Sequence, residues 1–167
     1  MIGVVLAAHG EVSGALLKAA EAIVGPLECV KAISIGAGAS PECMRSEVID
    51  AVHQVSDGTG VLILCDMFGG TPSNVCLSAE CGTPVEVVTG VNLPMLIKLS
   101  TARVDGVPVR EAAASIAAYG QRHITLATEL LRERKRQAAA AAAESSANAP
   151  TVDSRPVGSA FAAASSH

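Results

Sequence analysis

Val4-Val5-Leu6-Ala7-Ala8-His9-Gly10 is an apolar run that ends on a histidine, with a glycine directly after it. The run reads as a buried strand that delivers an imidazole to the edge of a sheet, with a helix starting beyond Gly10. In an open α/β sheet the ligand crevice lies off the carboxyl ends of the strands. A histidine at that place is positioned for chemistry, although a lone strand-end histidine serves equally well to cap or pack. A second stretch, Asp66-Met67-Phe68-Gly69-Gly70-Thr71-Pro72-Ser73-Asn74, tips the balance towards chemistry.

Composition supports this fold class. Half of the 167 residues are hydrophobic but only 2% are aromatic, so the core is built from Val, Ile, Leu and Ala. That suits a parallel sheet whose strands are covered on both faces. A net charge of −4 and a pI near 5.5 speak against nucleic acid as a partner. No apolar run reaches the roughly 18 residues that a membrane span needs. The apolar start Ile2–Ala8 lacks a basic leader and a cleavage pattern, so no signal peptide is expected. Cys29, Cys43, Cys65, Cys76 and Cys81 show no C-x-x-C spacing. They read as reduced, buried thiols of a cytoplasmic protein rather than as a metal site.

Taken in order, strand and helix signals alternate. Ile2–Ala8 is the first strand. Ser13 is placed to cap a helix over 14–24, with Leu16, Leu17, Ala20, Ile23 and Val24 on its inner face, and Gly25-Pro26 ends it. Val30–Ile35 is a second strand. Ser40-Pro41-Glu42 opens a helix with a capping hydroxyl, a proline at the first position and an acid in the first turn; Val48, Ala51, Val52 and Val55 face inward. Val61–Cys65, continuously apolar, is a central third strand ending on Asp66. Thr71-Pro72 opens a third helix with Val75, Cys76 and Leu77 inside. Val85–Val88 is a fourth strand, followed by a short helix from Leu93-Pro94 and another over 107–119. The pattern predicts an open, doubly wound, mostly parallel sheet of four strands flanked by helices. Residues 121–127 are ambiguous between helix and a fifth, antiparallel edge strand. The folded domain is expected over 1–136. The Ala- and Ser-rich stretch 137–167 is expected to be a disordered tail, with a fraying helix over Glu129–Glu144 as the local option.

The chemistry follows from two strand ends. Parallel strands lie about 4.8 Å apart, so side chains at neighbouring tips touch. A carboxylate, Asp66, on one nitrogen of His9 fixes the tautomer and leaves the other nitrogen free as a nucleophile. Gly69 and Gly70 let backbone N–H groups approach a ligand. Thr71 adds a hydroxyl, and the helix opening at Pro72 turns its positive end to the same place. Amides, hydroxyl and helix dipole make an anion cradle, to which Gly10 adds further amides. A nucleophilic imidazole beside an anion cradle suggests a phosphohistidine. The chain has no G-x-x-x-x-G-K-[ST] run, no G-x-S-x-G elbow and no G-x-G-x-x-G.

Three motifs in order, Ala8-His9-Gly10, the stretch Asp66–Asn74 and Val88-Thr89-Gly90-Val91-Asn92-Leu93-Pro94-Met95, resemble the IIA component of the mannose family of the bacterial phosphotransferase system. The resemblance covers about residues 1–130. It implies a phosphocarrier that takes a phosphoryl group from phospho-HPr on His9 and passes it to a IIB domain, with Asp66 as the orienting carboxylate and Thr71 beside the phosphate. It implies no cofactor. It also implies a homodimer that exchanges a C-terminal strand, here 121–127. The related dihydroxyacetone-kinase phosphotransferase subunit shares the N-terminal strand and histidine but lacks the G-G-T-P-x-N turn. Sugar-transporting members often continue into a IIB domain, and the Ala-rich stretch here leads into none. A regulatory module, whose His9 phosphorylation controls partner binding without transport, is therefore the alternative. A metal-dependent hydrolase using His9 and Asp66 is disfavoured for want of further ligands. Of the other candidates, His53 reads as a solvated helix residue, His123 as an interface residue, His167 as inert and 132–136 as a solvated charge run. Asn92 and Pro94 either border the crevice or shape a helix start.

Overall fold

The alternation seen in the sequence is realised in full. The computed structural model describes residues 1–36, 38–79, 81–103 and 106–147. Its elements are β1 (Gly3–Ala8), α1 (Val12–Val24), β2 (Val30–Ser34), α2 (Pro41–Val55), β3 (Val61–Cys65), α3 (Thr71–Ser78), β4 (Val85–Thr89), α4 (Leu93–Ala102), α5 (Val109–Arg122) and α6 (Ala127–Ala147). The strands are parallel and lie in the order β2-β1-β3-β4.

Side chains of a strand alternate between its faces, and β1 shows how this builds two cores. Val5 and Ala7 pack with Ile63, Val48 and Val52 under α2 and α3. Val4 and Leu6 pack with Leu62, Leu64, Leu96 and Ile116 under α1, α4 and α5. Every residue of β1 and of β3 is buried. These two strands are the central ones, which is why they read as unbroken apolar runs.

The topology positions the site. β1 leaves the sheet towards α1 on one face, and β3 leaves it towards α3 on the other. The chain therefore diverges off the tips of two neighbouring strands, and a crevice opens at that switch point.

α2 begins as its sequence predicts: Ser40 Oγ accepts from Cys43 N at 3.2 Å, with proline in the first turn. Several local expectations are corrected. Ser13 does not cap α1. The helix starts two residues earlier, at Val12, with no side-chain cap, and the buried Ser13 hydroxyl donates to the Ile33 carbonyl on β2 at 2.8 Å. Ile23 and Leu77 face outward, because helical spacing does not say how wide the buried face is. Cys65, Cys76 and Cys81 are buried free thiols, but Cys29 and Cys43 are exposed. His53 is on the exposed face as expected and also donates to the Cys81 carbonyl, 3.3 Å away.

Gly3 shows how tightly β1 meets α2. A Cβ there would lie 2.5 Å from the Val55 carbonyl oxygen and 2.8 Å from Val55 Cγ2. The obstacle is helix backbone, which cannot swing aside. Gly3→Ala is expected to destabilise the domain by about 2 kcal/mol, the usual size of an overpacking strain. The measurement is the urea midpoint, and an unchanged midpoint would show that the end of α2 slides freely.

The chain divides into two compact units, Met1–Thr125 and Leu126–His167. In the second, α6 runs through position 137, so the helical option for 129–144 is the one adopted; residues 148–167 lie outside the described residues. Among the described residues no fifth strand forms in the single chain. Gln121 and Arg122 continue α5, His123 is a turn and 124–126 are irregular. Among the described residues no helix is long and apolar enough to cross a membrane.

Candidate active site

Register brings the two key side chains together. Ala7 on β1 pairs with Cys65 on β3, so Asp66 and His9 fall just past the tips of adjacent strands. His9 Nδ1 lies 2.8 Å from Asp66 Oδ2. The same carboxylate oxygen accepts the His9 backbone N–H at 3.0 Å, and Oδ1 accepts the Met67 N–H at 2.8 Å. Burial raises the Asp66 carboxyl, but the His9 amide, the His9 ring and the Met67 amide outweigh it and hold the group below its ordinary value. An ionised carboxylate on Nδ1 makes that nitrogen the N–H donor, and the lone pair is on Nε2. The His9 side chain is 45% exposed, so a reactant reaches it from solvent.

Gly70 lies against the ring. A Cβ at this position would sit 3.2 Å from His9 Cε1 and 3.7 Å from Nε2. Only a residue without a side chain lets the backbone come this close at no cost. Gly70 is also the N-cap of α3, and Thr71, exposed, is its first residue. The positive end of α3 is thus next to Nε2, where the charge of a substituent would develop. Gly69 and Gly10 take positive φ values of 79° and 52° and turn the two loops that flank the histidine.

A cleft of about 540 Å³ opens on the other side of His9 and Gly10. Its remaining walls are Ser34, Gly36, Ala39, Met44 and Glu47, from the end of β2 and from α2. Sequence reading missed them, since nothing local marks a residue that lines a cleft from another element. It also missed Met67 and Phe68, which are 54% and 74% exposed directly after Asp66 and form an apolar surface beside the histidine. Their signal was present: large apolar residues in a loop next to a glycine turn have no core to enter.

Other candidates stand elsewhere. Asn92 takes the structural option, with Oδ1 accepting the Met95 N–H at 3.2 Å and Nδ2 donating to the Gly120 carbonyl at 3.3 Å. His123 is exposed, stacked on Tyr119.

Comparison with known proteins identifies the family of the chain. The family described as "PTS system fructose IIA component" matches residues 3–117. The mannose-specific EIIAB component of the phosphotransferase system of Escherichia coli K12 is 31% identical over 150 residues, covering 89% of this chain and 46% of that protein. The chain therefore spans about half the length of that relative. The fructose-specific EIIA component of Bacillus subtilis 168 is 27% identical over 137 residues, covering 81% of this chain and 92% of that one. Among solved structures, the mannose/sorbose-specific IIA subunit from Enterococcus faecalis superimposes with a TM-score of 0.66 at 29% identity, covering 74% of this chain and 92% of that chain.

Proposed function

Because the chain belongs to the family of phosphotransferase-system IIA components described as fructose-type, we propose that it is a phosphocarrier working on His9. The observation that carries this reading is the His9 Nδ1–Asp66 Oδ2 pair at 2.8 Å, which leaves Nε2 as the nucleophile against Gly70. In the forward step Nε2 attacks the phosphorus of phospho-HPr. A new N–P bond forms as the donor's N–P bond breaks, and the electron pair of that bond returns to the donor's imidazole. Asp66 stabilises the positive charge that appears on the substituted ring, while the amides at the start of α3 face the phosphoryl oxygens. The reverse chemistry hands the group to a IIB-type acceptor. Both partners and the cytoplasmic setting are part of the proposal. Met67 and Phe68 offer the apolar contact on which a protein partner desolvates the reaction.

The test is incubation with phosphoenolpyruvate, enzyme I and HPr, followed by intact mass and acid lability, and then addition of a IIB domain. Label that is acid-labile and moves on to IIB supports the carrier. Label that stays on His9 selects the regulatory alternative, and no label overturns both.

We propose further that the protein is a homodimer. β4 is an edge strand with unpaired backbone groups, and Ile124, 79% exposed, stands just beyond α5. With Gln121 and Arg122 retained in α5, the segment left to pair with a second copy is 124–126. A chain ending at Arg136 is expected to be dimeric by light scattering, and Ile124→Asp with Leu126→Asp is expected to be monomeric. A monomer in the first case or an unaltered dimer in the second overturns the exchange.

A further inference from the structure

The chain has a single tyrosine, and three basic side chains converge on it. His123 stacks on Tyr119 with centroids 4.1 Å apart, and its Nδ1 donates to the Tyr119 carbonyl at 2.8 Å. Lys98 Nζ lies 5.8 Å and Arg122 Cζ 5.9 Å from the ring centroid. Cation–π attraction gathers such groups, yet like charges in one place repel. Among the described residues no carboxylate pairs with Lys98 or Arg122. The imbalance is regional. Residues 93–123 carry Lys98, Arg103, Arg110 and Arg122 against Asp105 and Glu111, whereas residues 1–92 are dominated by acids and the whole chain is −4. Arg103 is already committed, donating to the Glu28 and Ile2 carbonyls.

From this cluster we infer a docking patch for an acidic segment of a protein partner, at the same end of the sheet as His9. Its placement comes from the Asn92–Gly120 hydrogen bond, which ties the end of α5 to the loop leaving β4. β4 is two strands from β1, about 10 Å across the sheet. A partner centred on His9 with an ordinary footprint of about 800 Å² covers a disc of roughly 16 Å radius, which takes in Tyr119 at its rim. The chemistry favours a protein over a free anion. Arg122 and His123 stand exposed, and the nearest cavity, about 150 Å³, is lined by Thr89, Asn92 and Gln121 rather than by the three basic groups. A small anion there stays in water and gains little from each charge. A carboxylate-bearing segment engages the Lys98 and Arg122 cations together, accepts from the His123 ring, and shields them. Rim charges of this kind govern the on-rate and its salt dependence more than the strength of the finished complex. The assignment of the patch to a partner centred on His9 rests on the phosphocarrier reading; the patch's affinity for carboxylates does not.

The test is a two-dimensional NMR titration of the full chain at low ionic strength with an oligoglutamate peptide as probe. Shifts are expected to cluster on Lys98, Tyr119, Arg122 and His123. The double variant Lys98→Ala with Arg122→Ala is expected to weaken apparent binding about tenfold, the sum of two exposed charge pairs. Salt at about 0.2 M should abolish most of the response. His9→Ala should bind the peptide like the parent, so loss of phosphorylation and loss of the patch are separate readouts. Shifts that avoid the cluster, or equal affinity in the double variant, overturn the patch. Inorganic phosphate that reproduces the peptide's shifts at the same concentration makes it a free-anion site and overturns the partner.

Discussion

Replacing His9 by alanine is expected to abolish acid-labile phosphorylation while leaving the fold intact. Both halves of that result follow from the hydrogen bonds around Asp66. Among the described residues the imidazole is the only group at the crevice with a free nitrogen lone pair; the neighbouring glycines and Thr71 bring amides and a hydroxyl. Without the ring no N–P bond forms, and the label falls to background. The fold survives because the Asp66 carboxylate keeps its two amide partners, the backbone N–H groups at positions 9 and 67, so no buried charge is orphaned. The apolar run Val4–Ala8 is also untouched. Phosphorylation is read by intact mass, and the fold by the unfolding midpoint. Label that persists and maps to His53 or His123 would show that the site assignment is wrong.

Asp66→Asn is expected to slow phosphoryl transfer by about 10²-fold, the usual scale for losing an acid–base partner, or about 2.7 kcal/mol of barrier. The substitution preserves shape and can still accept one amide. It removes the negative charge that stabilises a substituted ring. It also introduces an N–H₂ that can donate to Nδ1, which would move the ring proton to Nε2 and block the nucleophile. Rapid-quench kinetics with phospho-HPr measures the loss, and an unchanged rate would break the pairing. The pH dependence has a definite sign. The folded-state value of Asp66 is depressed, so the stabilisation it gives is fully present above the unfolded carboxylate value of about 3.9. It is lost as pH falls through the folded value. Asp66→Asn should remove that part of the acid limb of the stability curve and leave neutral pH behaviour of the fold nearly unchanged.

What was legible in the sequence was local. Ser40-Pro41-Glu42 announces the start of α2 because capping is decided within four residues. The unbroken apolar runs of β1 and β3 announce central strands because burial on both faces leaves no polar position. The errors have one common cause. Ser13 has the chemistry of a cap, but a carbonyl on β2, at Ile33, takes its hydroxyl instead. Ile23 and Leu77 repeat at helical spacing, yet the packed face of each helix is narrower than the spacing suggests. Cys29 and Cys43 are apolar enough for a core and sit outside it. In each case a distant segment decides, and a local pattern carries no record of it.

The site divides the same way. By itself the sequence determined that His9 and Asp66 end two strands and that Gly69-Gly70-Thr71 precedes a helix, the parts from which the proposed nucleophile and anion cradle are built. The tertiary structure alone decided that these belong to one site. Had β3 joined the sheet beyond β2, the same residues would stand strands apart. The order β2-β1-β3-β4 and the pairing of Ala7 with Cys65 place Nδ1 within 2.8 Å of Oδ2 and set Ser34, Met44 and Glu47 as the far wall of the cleft. Strand order and register are settled by the packing of two helical layers on opposite faces of the sheet, a balance among residues far apart in the chain, and no short stretch of sequence contains it.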